Sequence, residues 1–169
     1  MTVLLPLPAA STAWAPSVSF AIGWEGDDLV HELDSSDSFS SSAFAEARIN
    51  VISVRIAERH RVSVPFILSA VSAAALTART EKGRETGYGL EAEYGIYLQD
   101  GITISIGGGF RAHRYEDAEA WYISYGGTLT PEVRLMENLS LIAQASFYGG
   151  QNGWYSRFGL GMKMGWGMR

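Results

Sequence analysis

The chain has 169 residues, no cysteine, and a formal net charge of −5 from 13 basic and 18 acidic residues. With no basic block, nothing points to a nucleic-acid partner, and without Cys there is no disulfide framework. Hydrophobic residues reach 47% and charged ones only 18%, below the roughly 25% usual for soluble domains. A mean hydropathy of +0.02 nevertheless excludes a bundle of long apolar helices.

Residues 1–16 carry an apolar run with a small-residue end, Val3-Leu-Leu-Pro-Leu through Ala13-Trp-Ala15. They read as a signal remnant or as a lead-in to the first strand, since the basic start of a secretion signal is missing. Residues 17–169 read as one domain of eight alternating stretches. Strict period-two alternation predicts β-strands, because successive side chains point to opposite faces.

The first stretch sets Val18, Phe20, Ile22 and Trp24 against Ser19, Ala21, Gly23 and Glu25. The second, over 44–58, puts Ala45, Ala47, Ile49 and Val51 on one face. Its parity then slips to Ile52, Val54 and Ile56, which predicts a β-bulge. The third starts at Arg61, sends Val62, Val64, Phe66 and Leu68 outward, and fades into 73–75. The fourth, over 88–99, alternates Tyr88, Leu90, Ala92, Tyr94, Ile96 and Leu98 with Gly89, Glu91, Glu93, Gly95 and Tyr97.

In the fifth, Ile102, Ile104 and Ile106 lead on to Phe110 and His113. Trp121, Ile123, Tyr125, Leu129 and Val133 mark the sixth, and Leu139, Leu141, Ala143, Ala145 and Phe147 the seventh. The eighth is the most regular: Phe158, Leu160, Met162, Met164, Trp166 and Met168 alternate with Gly159, Gly161, Lys163, Gly165, Gly167 and Arg169.

Connections after stretches two, four and six are tight (58–61, 99–101 and 136–138). Those at 27–42, 77–87, 114–118 and 149–153 are expected to be longer and more polar. That asymmetry is the layout of outer-membrane barrels. Trp24, Tyr88, Trp121 and Trp154 fall near the long-loop end and Trp166 near the other, as expected for rings at the two membrane interfaces. The predicted fold is therefore all-β, an eight-stranded antiparallel up-and-down transmembrane barrel.

Two rival folds fit less well. A soluble lipocalin-like barrel would have to pack the greasy face inside, and a lumen of eight strands is too narrow for it. The uncharged run 62–78 has about the minimum length of ~17 residues for a membrane helix, but Pro65 and alternating β-branched residues oppose that reading.

Pattern and size resemble the small eight-stranded outer-membrane barrels of the OmpA/OmpX/opacity-protein kind, over about residues 17–169. The resemblance implies a bacterial outer-membrane location and a lipid-bilayer partner, with lipopolysaccharide or its equivalent. Such barrels commonly end on an aromatic residue, whereas this chain ends Trp166-Gly-Met-Arg169.

Candidate lumen residues are the charged and polar side chains of inward parity: Arg48, Arg55, Glu91, Glu93, Arg111, His113, Glu132, Arg134 and Lys163. Charges in a dry lumen persist only if paired, so these are expected to form a structural network, with a gated polar path as the alternative. No catalytic constellation, cofactor or metal site is expected. His31, His60 and His113 lack a nearby Ser in a His-x-Ser pattern. The acidic run Asp27, Asp28, Glu32, Asp34 and Asp37 lacks Ca²⁺-loop spacing. Gly107-Gly-Gly109 precedes no helix that could bind phosphate.

The expected role is structural, envelope or surface-interaction, with envelope partners meeting the longer loops. A narrow pore, an accessory subunit and a lipid-modifying enzyme stay open. On this reading, unboiled protein refolded in detergent migrates differently from boiled protein on a gel and shows β-rich circular dichroism only in detergent. Folding in plain buffer would instead turn the greasy face into a ligand cavity.

Overall fold

The computed structural model describes residues 16–27, 40–56, 59–72, 85–99, 101–115, 121–150 and 153–166. Residues 1–15, the acidic segment with His31, and Met168 and Arg169 lie outside them. Eight strands run in order: β1 (Ser17–Asp27), β2 (Ser40–Ile56), β3 (His60–Ser72), β4 (Glu85–Gln99), β5 (Ile102–Tyr115), β6 (Tyr122–Met136), β7 (Leu139–Gly150) and β8 (Gly153–Gly165). Each pairs antiparallel with its sequence neighbours, and β1 pairs with β8 to close the barrel. The strands, from 11 to 17 residues long, exceed the roughly 9–11 that a tilted strand needs to cross hydrocarbon.

Alternation decides which face is which. Phe20, Ile106 and Leu160 are 53%, 62% and 64% exposed, while Ser19, Arg48 and Glu91 between such residues are buried. The greasy face therefore points outward, which overturns the soluble barrel with an apolar interior. β3 takes in most of the uncharged 62–78 run as strand, and no helix among the described residues is long and apolar enough to cross a membrane.

The slip of parity in β2 is a register shift between Asn50 and Ile52, which leaves Val51 and Ile52 both on the outer wall. The prolines interrupt pairing on one side each. Between β3 and β4 the ladder skips Val64 and Pro65, and between β6 and β7 it skips Thr130 and Pro131. Proline has no N–H to give to a ladder, yet each keeps register with its other neighbour, Pro65 opposite Asn50 and Pro131 opposite Ile104.

The turns correct two expectations. Gly150 pairs with Gly153, so the β7–β8 connection is as tight as those at the opposite end. The pairing that begins β8 at Gly153 also brings Trp154–Arg157 into the wall, and Gly153 takes a φ of 115° that favours glycine. His60, expected in a turn, already belongs to β3 and pairs with Ile56, one residue before the expected start at Arg61, which pairs with Arg55. Gly101, in the Asp-Gly turn after β4, has φ 86° and its carbonyl accepts the Arg134 N–H at 2.6 Å.

Aromatic rings band the wall. Tyr88 and Trp121 lie 5.7 Å apart, Phe147 and Trp154 5.5 Å, and Trp24 pairs in register with Phe158. Trp166, just beyond β8, donates its N–H to the Pro16 carbonyl at 3.0 Å and ties the end of β8 to the start of β1.

Some inward glycines stand where the neighbouring strand's backbone leaves no room for a Cβ. At Gly126, opposite Tyr148, an added Cβ would run into the Phe147 carbonyl oxygen, whereas at outward Gly149 the nearest atom would be 3.9 Å away. Gly126→Ala is therefore expected to destabilise the barrel by roughly 1–3 kcal/mol, and Gly149→Ala to leave it unchanged. Urea midpoints of the two variants in detergent check the contrast.

Candidate functional site

The lumen is the chemically distinctive part of the molecule. Inward parity brings five carboxylates, Glu25, Glu46, Glu91, Glu93 and Glu132, together with five cations, Arg48, Arg61, Arg111, Arg157 and Lys163, all buried. These ten groups cancel in charge, and their contacts link them into one alternating chain along the barrel.

Glu46 on β2 is the hub. It accepts from Arg48 Nε at 2.9 Å, Arg111 Nη1 at 2.5 Å, Arg157 Nη1 at 3.4 Å and Gln144 Nε2 at 2.7 Å. Toward the long-loop end, Arg157 Nε also donates to Glu25. Toward the middle, Glu91 accepts from Arg48 Nη2 at 2.7 Å, Arg111 Nη2 at 3.1 Å, Thr128 Oγ1 at 3.0 Å and the Tyr148 hydroxyl.

The chain continues toward the short-turn end. Arg48 Nη1 reaches Glu93 at 3.3 Å, and Arg61 Nη2 donates to Glu93 at 3.2 Å. Arg61 also lies 3.6 Å from Glu132, which accepts from Lys163 Nζ at 2.7 Å. With Gln144 on β7, all eight strands contribute a member.

Aromatic faces complete the shell. The Arg111 guanidinium lies 4.4 Å from the Tyr148 ring centre, and Arg157 lies 4.8 Å from Tyr155 and 5.4 Å from Phe44. Such cation–π contacts are strongest where water is excluded. Ile67, opposite Arg48 in register, and Ile142, opposite Glu132, are fully buried as well, so the lumen is filled rather than open.

Of the residues expected in the lumen, Arg48, Glu91, Glu93, Arg111, Glu132 and Lys163 meet in this chain. His113 is also buried, with Nε2 2.8 Å from Ser124 Oγ and 3.0 Å from the Tyr155 hydroxyl. Arg55 is half-buried and stacks on Tyr97 at 5.0 Å. Arg134 is exposed at the short-turn rim, because its place near the end of β6 carries it past the lumen's mouth.

Sequence reasoning passed over Glu25, Glu46, Arg61 and Arg157 as network members. Glu46 shares parity with Arg48, and extending the eighth stretch back by one alternation from Phe158 would have found Arg157. The Ser124–His113 contact has no signal in local spacing, because it is made across the β5–β6 pair.

Removing one partner of a buried ionic cluster strands the others, at a cost of roughly 3–5 kcal/mol. Glu46→Ala, which leaves three arginines short of a carboxylate, should lower the urea midpoint accordingly. Arg134→Ala should stay within about 0.5 kcal/mol of the parent.

No protein-family model matches the chain, and no curated protein matches it in sequence. Among solved structures, Neisserial surface protein A superposes with a TM-score of 0.64 at 13% identity, over 91% of this chain and 98% of its own. Ail, the attachment invasion locus protein of Yersinia pestis, matches at 0.48 and 11%, over 89% and 99%. The outer membrane protein OprG from Pseudomonas aeruginosa matches at 0.46 and 10%, over 90% and 97%. The first of these carries the comparison: the chain has the fold of the small eight-stranded outer-membrane barrels.

Proposed function

We propose that this chain is an integral protein of the bacterial outer membrane, a closed scaffold that presents its longer connections at the envelope surface. The outward apolar wall, banded by aromatic rings, suits it to a bilayer, with lipopolysaccharide or an equivalent lipid around its outer half. Protein partners would meet the connections that follow β1, β3 and β5.

The observation that carries the scaffold reading is the filled lumen. A pore needs a continuous column of water, and here Arg48 of β2, Arg111 of β5 and Arg157 of β8 are clamped by buried carboxylates inside the lumen. The reading is also non-catalytic. Ser124 and His113 have the spacing of a nucleophile and its base, but both are buried, with His113 packed edge-on against Tyr155 at 5.1 Å.

Planar-bilayer recording tests the scaffold. The parent protein is expected to give no discrete current steps. Regular, ion-selective steps whose size changes in Arg48→Ala would show a gated polar path and sink the closed-scaffold reading.

A further inference from the structure

A second polar cluster lies on the outside of the barrel, where most side chains are apolar. His60, the first residue of β3, faces outward because its neighbour Arg61 faces the lumen. Tyr94 on β4 shares that face and is 40% exposed. Its hydroxyl lies 2.7 Å from His60 Nδ1, and the two rings stack with centres 5.8 Å apart. Around them stand exposed Ile56, Ile96 and Leu98.

An ionisable ring on a lipid-facing wall is costly at membrane depth and marks function by default. This pair lies at the short-turn end, the end that faces the periplasm in barrels of this layout. That places it at the level of the inner-leaflet headgroups.

Either tautomer of His60 can make this hydrogen bond; in the one protonated at Nε2, Nδ1 accepts from the Tyr94 hydroxyl and Nε2 is left as a donor. Arg59 precedes it in the turn and is exposed. The Arg59 carbonyl accepts the Tyr97 N–H at 2.9 Å, which anchors the backbone from which the guanidinium extends. Arg59 and His60 are consecutive in the chain, and a guanidinium with an imidazole N–H is the chemistry that holds a phosphate, while the adjacent isoleucines and leucine suit the hydrocarbon attached to it.

We propose that Arg59, His60 and Tyr94 form a docking site for the phosphodiester headgroup of an inner-leaflet phospholipid. Arg59 supplies the charge, His60 Nε2 the directed donor, and Tyr94 orients the imidazole. The site rests on the membrane-barrel reading above.

Native mass spectrometry of protein refolded in detergent with phosphatidylglycerol tests it, with a boiled-versus-unboiled gel run on every sample. The parent is expected to retain one lipid. Arg59→Ala and His60→Leu should each lower retention about tenfold, and Tyr94→Phe several-fold, with Arg134→Ala, a rim cation elsewhere, unchanged. Equal retention by the parent and His60→Leu, or an equal loss in Arg134→Ala, would overturn the site in favour of general rim electrostatics. Displacement of the lipid by excess inorganic phosphate would assign the cluster to a soluble anion and overturn the lipid assignment. A parent that shows no gel shift would instead bring down the membrane barrel itself.

Discussion

Everything in this molecule follows from the need to satisfy backbone hydrogen bonds where no water can do so. In hydrocarbon each unpaired N–H or C=O costs several kcal/mol, so a sheet can cross a membrane only if it has no edge. The pairing of β1 with β8 over the full length of β1 removes the last edge. Once the sheet is closed, period-two alternation becomes a sorting rule. One set of side chains must dissolve in lipid, and the other must fill whatever space the closure leaves. The two interior prolines show how far this can be relaxed: each interrupts the ladder on one side and stays in register on the other.

The filling is ionic rather than apolar, and that choice has consequences. Ten buried charges stripped of water would be ruinous singly and are tolerable only as a balanced, hydrogen-bonded set. Glu46 and Glu91 each meet both Arg48 and Arg111, so no pair stands alone. Because the members come from distant strands, such as Glu25 of β1 with Arg157 of β8, the set can assemble only when the barrel closes. Closure and charge pairing therefore depend on each other. The same interlock plugs the lumen, which moves any contact with partners to the connections and the outer wall.

That outer wall is not uniform. Its aromatic band near the long connections is built from rings alone or with their neighbours, as at Tyr88–Trp121. The His60–Tyr94 pair near the short turns joins a ring to an ionisable group. The difference matches the two boundaries of an asymmetric membrane: one is held by bulk and amphipathic rings, and the other offers directed hydrogen bonding.

The sequence by itself determined the strand count, the outward face and the bulge near Val51. Those features depend on residue type and a period of two, both of which are local. It also marked six of the ten lumen ions by parity. Tertiary structure alone decided which of them meet, because salt bridges in a barrel cross between strands according to register and tilt rather than spacing. The same reason kept the Ser124–His113 contact and the hub role of Glu46 out of view, and it carried Arg134 out to the rim. Where strands begin was the other limit: the Gly150–Gly153 pairing lengthened β8 and brought Arg157 into the lumen, and the start of β3 one residue early put His60 on the wall beside Tyr94. Parity assigns a face only once a residue is known to lie in a strand, and at strand ends the hydrogen-bonded partner settles that.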